Sequence, residues 1–173
     1  MFRILAPFAL ISAFLQIASL ATAPTDEERN PAQPVNAVIE WNRTLLAIVR
    51  TPGAQPATIH STRSFAILHA AIYDAVNNIE ARFSPYLVHL PDVPRSASKI
   101  AAADEAAHDV LVFLYPAFQV SLDTELQQDL ALLPDNERKA QGVAVGQAVA
   151  SQQLAARSAD GANVIPPPYV PVN

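Results

Sequence analysis

The sequence contains no cysteine and only four glycines among its 173 residues. Without cysteine the chain forms no disulfide, and it has neither a thiolate metal site nor a cysteine nucleophile. The shortage of glycine argues against a sheet protein, because tight turns between strands depend on glycine. The many Ala, Leu, Val and Ile residues favour helices instead, and the fifteen prolines all lie outside the five predicted helices.

Positive charge is also scarce, with eleven Lys and Arg residues against sixteen Asp and Glu and a net charge of −5. This balance argues against nucleic acid as a partner. The basic residues are scattered along the chain, and the sequence has no glycine-rich phosphate loop, no HExxH motif and no GxSxG motif. The familiar signatures of metalloproteases, serine hydrolases and nucleotide-binding enzymes are therefore missing.

Residues 1–21 are predicted to be a secretory signal peptide. A short basic start that ends at Arg3 precedes an apolar run from Ile4 to Leu20, and small residues at Ser19 and Ala21 favour cleavage after Ala21. The run is short for a membrane span, so we expect membrane contact only if the segment stays uncleaved. Cleavage would leave ten basic and sixteen acidic residues, a net charge of −6, on an exported protein, periplasmic or secreted.

A helical domain is predicted over residues 35–161, between a disordered leader at 22–34 and a Pro-rich tail or linker at 162–173. Apolar residues recur at helical spacing in five segments, and short connections between them indicate an antiparallel bundle. The all-α prediction has five helices. The first is capped by Asn36 and runs through Trp41 to Val49, the second spans about Ala57–Ile79, and the third is Lys99–Leu114, capped by Ser98. The fourth is Phe118–Leu133, and the fifth is capped by Asp135 or Asn136 and runs to about Asp160, with Gly161 as C-cap.

The last predicted helix carries small residues four apart, at Gly142, Gly146 and Ala150. Such a stripe lets another helix backbone approach closely, and it is also found where membrane helices pair. Glutamines surround it here, so we interpret it as tight packing inside the bundle. In the fourth helix, Leu122 begins an i, i+4 leucine stripe that continues to Leu133 and predicts a buried face.

The second predicted helix has a polar side that carries Arg63, His69, Tyr73 and Asp74. Arg63 and Asp74 lie about 16 Å apart along a helix axis, so they cannot pair with each other. We interpret the four residues as a structural polar cluster whose members bond neighbouring helices or loops, because buried polar groups need partners. A catalytic role is the alternative.

No metal site is predicted. His60, His69, His89 and His108 stand alone, and none lies three or four residues from another. Asp104 and His108 are one helical turn apart and could provide two ligands, but we expect them to form a salt bridge on a helix surface.

The strongest functional signal is an ordered series of segments between residues 38 and 171. The segments are VIEWNRTLLAIVR, HSTRSFAILHAAIYDAVNNI, SPYL, SASKIAAADEAAHDVLVFLYP, LDTELQQDLALLPD, GVAVGQAVASQQLAARSADGAN and PPPYVP. In order and spacing they resemble the N-terminal helical region of vanadium-dependent haloperoxidases and their phosphatidic acid phosphatase type 2-like relatives. The resemblance implies an all-helical fold that packs against a catalytic bundle.

The catalytic half of that family is not matched. Its vanadate or phosphate site is built by a Lys followed after six residues by Arg-Pro, by Pro-Ser-Gly-His, and by Ser-Arg leading to a His, and none of these motifs occurs in this sequence. No catalytic, cofactor-binding or metal-binding residue of the family is therefore carried over. In haloperoxidase relatives, vanadate would lie in the unmatched half.

Two functions follow from these observations. The first is a truncated exported protein that resembles the helical domain of a haloperoxidase or acid phosphatase and is inactive alone. The second is a free-standing extracytoplasmic module for protein interaction, with a separately encoded catalytic half or a second copy as its partner, which requires an exposed apolar face. A small-molecule pocket between the helices is a third, weaker hypothesis.

Overall fold

Five α-helices and one 3₁₀ turn make up the regular structure of the described residues, 36–54 and 60–162, in a computed structural model of the chain. The predicted all-α helical bundle is confirmed. The helices are α1 (Ala37–Arg50), α2 (His60–Glu80), α3 (Lys99–Leu114), α4 (Gln119–Ala131) and α5 (Glu137–Arg157), and the 3₁₀ turn is Pro116–Phe118.

Several sequence predictions concern residues outside these ranges. They are the signal peptide at 1–21, the leader at 22–34 and the Pro-rich tail from 163 to 173. The start of the second helix, predicted near Ala57, also falls in the undescribed segment 55–59. Within the described part of the chain, no helix has the length and apolar character needed to cross a membrane.

Three helices begin at the residues that the sequence predicts as N-caps. The side chains of Asn36, Ser98 and Asn136 each accept a hydrogen bond from a backbone N–H in the first turn of α1, α3 and α5. These bonds satisfy donors that have no partner inside a helix, which is why Asn and Ser are favoured at this position.

The two later helices are shorter than predicted. Helix α4 ends at Ala131 rather than Leu133, and α5 ends at Arg157 rather than at about Asp160. Gly161, predicted as the C-cap, has the expected positive φ of 83° but lies four residues beyond the last helical residue. Ser158 is the C-cap of α5, and Gly161 lies in the turn that follows the helix.

Helix α3 is the centre of the bundle and packs against each of the other four helices. Its residues Ala101–Ala107 are all buried. Five of these seven are alanines, whose single methyl groups let neighbouring helices come close from several sides. Large side chains from the surrounding helices, such as Trp41, Leu45 and Leu68, fill the space around α3 and are fully buried.

Helices α3 and α5 lie side by side and run in the same direction. Gly142 packs against the start of α3 at Ser98, and Gly146 packs one turn further along at Ala102. A Cβ atom on Gly146 would lie 2.6 Å from the Ala102 carbonyl oxygen and 2.7 Å from the Glu105 Cβ. This confirms that the small-residue stripe serves tight helix packing.

Because the space beside Gly146 is already filled by backbone, we expect Gly146→Ala to destabilise the protein. The steric cost exceeds the gain in helix propensity, and the net loss should be about 2 kcal/mol in the free energy of unfolding. Urea denaturation followed by circular dichroism measures it. Ala144→Ser, which adds one heavy atom on the exposed side of α5, is the control and should change stability by less than about 0.5 kcal/mol. Equal stability of the Gly146→Ala variant and the native chain would contradict the close contact between α5 and α3 at Gly146.

Candidate functional site

Helix α2 and the connection that follows it, residues 81–98, carry most of the polar side chains that the sequence singles out. At the start of the helix, Arg63 Nε donates to Asp160 Oδ2 at 2.8 Å and Nη2 donates to the Arg157 carbonyl at 3.1 Å. The hydrogen bond from Arg63 also holds the pKa of Asp160 below its usual value. Arg63 therefore fastens the end of α5 to α2.

His69 faces α1 rather than the connection. Its Nε2 atom lies 3.1 Å from Asn42 Oδ1, and its ring stacks on Phe65 with a centroid distance of 6.4 Å. Burial lowers the pKa of His69, so the imidazole is neutral at pH 7. A neutral ring bonded to an amide oxygen contributes to packing and provides no charge for an anion.

Asp74 makes the most extensive set of hydrogen bonds among the four residues. The side chain is fully buried, and its two oxygens accept the backbone N–H groups of Tyr86, Leu87 and Val88 at 2.6, 2.9 and 2.8 Å. The hydroxyl of the preceding residue, Tyr73, donates to the Ser84 carbonyl at 2.9 Å. These bonds supply partners for backbone groups of a connection that has no regular structure of its own.

Two asparagines that sequence reasoning did not place in the predicted cluster complete this attachment. Asn77 donates to the Phe83 carbonyl at 2.6 Å and accepts the Phe83 N–H at 3.0 Å. Asn78 donates to the Val88 carbonyl at 2.8 Å and accepts the Leu90 N–H at 2.7 Å. Asp and Asn are poor residues for a helix interior, so three of them between positions 74 and 78 are a signal that could have identified this role.

The four predicted residues thus bond three different parts of the chain and do not form one hydrogen-bonded cluster. Arg63 holds the end of α5, His69 holds α1, and both Tyr73 and Asp74 hold the connection. In every case the partner is a neighbouring helix or loop.

The connection, held in this way, leaves a surface rich in aromatic rings beside α2. We call Val38, Tyr73, Phe83 and Tyr86 the aromatic surface; each is at least 40% exposed, and Phe83 is 64% exposed. The guanidinium group of Arg82 lies 5.6 Å from the centroid of the Phe83 ring, and Arg157 Nη2 donates to the Tyr86 hydroxyl at 3.0 Å. Large exposed apolar side chains gathered in one place are typical of interaction sites.

Two cavities lie along the aromatic surface. The first has a volume of about 330 Å³ and is lined by Val38, His69, Ile72, Tyr73, Val76, Asn77, Glu80 and Phe83. The second, of about 690 Å³, is lined by Ala66, His69, Ala70, Tyr73, Ser84, Pro85 and Tyr86. The hydroxyl of Tyr73 and the amide of Asn77 already have partners inside the chain, so the first cavity offers mainly carbon to an occupant.

The expected surface salt bridge between Asp104 and His108 is wrong, because Asp104 is buried. Its Oδ1 atom accepts the Trp41 Nε1–H at 3.0 Å, and its Oδ2 atom has no hydrogen-bond partner among the described residues. Burial raises the pKa of Asp104 to about 7. Asp104 lies on the side of α3 that faces α1 and α4. The i, i+4 spacing of Asp104 and His108 does not show which side of a helix is buried.

His108 instead lies between two carboxylates. Its Nδ1 atom is 3.1 Å from Asp109 Oδ1, and its Nε2 atom is 2.8 Å from Asp123 Oδ1. Glu105, His108 and Asp109 have ligand-type atoms within 4.8 Å of one another. Both ring nitrogens already have carboxylate partners and Glu105 accepts a hydrogen bond from Gln147 at 2.9 Å, so ion pairing accounts for the group and we assign no metal to it.

The described residues also offer a poor site for phosphate or vanadate. Such an oxyanion requires several cationic donors that converge on one point. Arg63 and Arg157 line the same cavity of about 170 Å³, but Asp160 lines it too and its carboxylate occupies the Arg63 guanidinium. Comparison with known protein families, with curated proteins and with solved structures finds no match for this chain.

The attachment of the connection depends on Asp74, so we expect Asp74→Asn to loosen it. An amide has one acceptor oxygen in place of two, and at least one of the three backbone N–H groups would lose its partner beside a misplaced NH₂ group. The loss should be about 3 kcal/mol in the free energy of unfolding, since these bonds are charge-assisted and buried.

Chemical denaturation and hydrogen exchange measure this effect. Amides of residues 86–88 should exchange faster in the Asp74→Asn variant. The control is Asp92→Asn, at an exposed position in the same connection where Asn tolerates the positive φ of 53°. Protection of residues 86–88 that is the same in both variants would refute the role of Asp74.

Proposed function

We propose that this chain is a non-catalytic helical module of an exported protein similar to vanadium-dependent haloperoxidases or phosphatidic acid phosphatase type 2-like enzymes. In this proposal the aromatic surface on α2 docks a catalytic part that bears the vanadate or phosphate site. The observation that carries it is the exposure of Tyr73, Phe83 and Tyr86 beside a connection held rigidly by Asp74.

Rigidity supports a docking role. Asp74 accepts hydrogen bonds from the backbone that carries Phe83 and Tyr86, and Asn77 and Asn78 donate to it, so the position of this backbone is fixed. A partner that binds a preformed surface pays little ordering entropy, which favours affinity. Aromatic residues are also the side chains most enriched at the energetic centres of protein interfaces.

The chemistry of the surface favours a protein partner with an apolar face. The cavity of about 330 Å³ is lined mainly by carbon, and the polar atoms of Tyr73 and Asn77 are already bonded within the chain. A small polar substrate or an oxyanion would find few free donors there. The resemblance of the segments from 38 to 171 names the partner class: the catalytic bundle against which this helical region packs in the family.

The proposal predicts that the purified chain alone is inactive. With vanadate, hydrogen peroxide and bromide it should oxidise no bromide above the rate of the buffer, and it should not hydrolyse a phosphomonoester. Both reactions require an oxyanion site, and the described cations are scattered or paired with acids. Vanadate-dependent turnover by the pure chain would contradict the proposal.

A second prediction concerns docking. The expected partner is a polypeptide that carries the Lys to Arg-Pro, Pro-Ser-Gly-His and Ser-Arg to His motifs. Titration calorimetry should show that Phe83→Ser weakens its binding about tenfold or more, because burying a Phe ring contributes about 1.5–3 kcal/mol. Val120→Ser removes an apolar residue that is 81% exposed on α4 and is not part of the aromatic surface, so it should leave the affinity unchanged.

Equal weakening by both substitutions, or by neither, would refute the aromatic surface as the docking site. A second copy of this chain is the other occupant that the test resolves. If the native chain dimerises at micromolar concentration and Phe83→Ser makes it monomeric, the free-standing interaction module becomes the better account.

A further inference from the structure

Helix α4 is the least firmly packed helix of the bundle. Leu122 is its only buried residue, and its packing is almost entirely against α3 and the preceding 3₁₀ turn. The predicted leucine stripe does not form a buried face, since Leu126 and Leu130 are only half-buried. An element that buries so few apolar groups is a candidate for local opening.

Polar contacts supply much of the remaining attachment of α4. Asp123 lies 2.8 Å from His108 on α3, and Glu125 accepts a hydrogen bond from Thr44 on α1 at 2.6 Å. Lys139 Nζ also donates to the Leu130 carbonyl at 3.4 Å. At least the first contact depends on the protonation of a histidine.

Beneath α4 lies the carboxyl group of Asp104. Only 2% of this residue is exposed, and within the part of the chain that the structure describes its carboxyl group bonds Trp41 through Oδ1 while Oδ2 has no partner. Asp104 is near enough to Glu125 and Asp129 of α4 to interact with their charges. Charges of the same sign repel one another, and burial of Asp104 weakens the screening by water, so an ionised Asp104 opposes the packing of α4.

The other charged groups around this site do not neutralise it. Glu105, next to Asp104 on α3, adds a further acid, and Glu40 of α1 acts on both Glu125 and Asp129. Arg43 forms an ion pair with Glu40 at the surface, with most of the Arg43 side chain in solvent. His108 is directed at Asp109 and Asp123.

We propose that α4 is a pH-dependent flap, which packs against α1 and α3 in acid and detaches from them as the medium becomes neutral to alkaline. The proposal concerns the fold itself and does not depend on the docking of a catalytic part. In the detached state, Trp41 and the α4 side of α3 meet solvent.

The direction of the effect follows from the groups involved. Burial first, and then the charges of Asp129 and Glu125, raise the pKa of Asp104 from 3.8 to about 7, so the closed form binds a proton that the open form releases. Burial lowers the pKa of His108, but its bonds with Asp109 and Asp123 outweigh this and raise it. Both groups therefore favour the closed form below their raised pKa values, and both stop doing so as pH rises through them.

Hydrogen exchange tests the proposal on the full chain. After correction for the intrinsic exchange rate, protection of α4 amides should fall as pH rises from 5 to 7, about tenfold per pH unit for the proton that Asp104 releases on opening and more steeply where His108 also releases one. Amides of α2 should keep their protection over the same range. Trp41 is the only tryptophan of the chain, so its fluorescence should follow the same midpoint.

Variants separate the flap from general unfolding. Asp104→Asn keeps an acceptor for Trp41 and cannot ionise, so the fall of α4 protection with pH should become shallower by about one proton, and the contribution of His108 should remain. Asp129→Asn leaves Asp104 in place and removes a facing charge, which should move the midpoint to lower pH. Asp135→Asn removes an almost fully exposed acid just after α4 and should retain the native slope.

The Asp129→Asn variant keeps the test decisive if Asp104→Asn fails to fold. Constant protection of α4 from pH 5 to 8 in the native chain would overturn the proposal. Loss of protection in all helices together would also overturn it, since that result shows global unfolding. An unchanged midpoint in Asp129→Asn would show that α4 charges do not act on the buried acid.

Discussion

The position of the aromatic surface depends on the three hydrogen bonds that backbone N–H groups donate to the buried Asp74 carboxylate. They fold the connection between α2 and α3 back onto α2, although that connection contains no regular structure. An ionised carboxylate can be buried at low cost when several N–H groups surround it, and unpaired backbone groups gain partners at the same time. The positions of Phe83 and Tyr86 follow from this attachment.

The interior is organised by small residues rather than by large ones. Alanines at the centre of α3 and Gly142 and Gly146 in α5 allow close helix contact, and the larger side chains of α1 and α2 close the remaining space. Two buried acids, Asp104 and Glu105, interrupt the run of alanines in α3, and their side chains face different helices. One face contacts Trp41 and the other contacts Gln147, so the same short segment connects α3 to both sides of the bundle.

Local features were predictable from the sequence, and contacts between distant residues were not. Asn36, Ser98 and Asn136 were identified as caps because an N-cap needs only its own first turn. The small-residue stripe of α5 was identified from spacing alone. The partners of Asp74 and Asp104 could not be identified in this way, since they come from residues 12 to 63 positions away and depend on how the helices pack. The leucine stripe of α4 was predicted to form a buried face, and this was wrong for the same reason. A regular stripe does not show whether a neighbouring helix covers it.

The central proposal is that the aromatic surface beside α2 binds a catalytic part that carries the motifs missing from this sequence. The most direct measurement places a photo-crosslinking aromatic residue at position 83 of the full chain and identifies the product by mass spectrometry, with the same residue at position 120 as reference. The account predicts a specific product from position 83, a polypeptide that carries the Lys to Arg-Pro, Pro-Ser-Gly-His and Ser-Arg to His motifs. Products that contain only a second copy of this chain, or the same products from both positions, would contradict it.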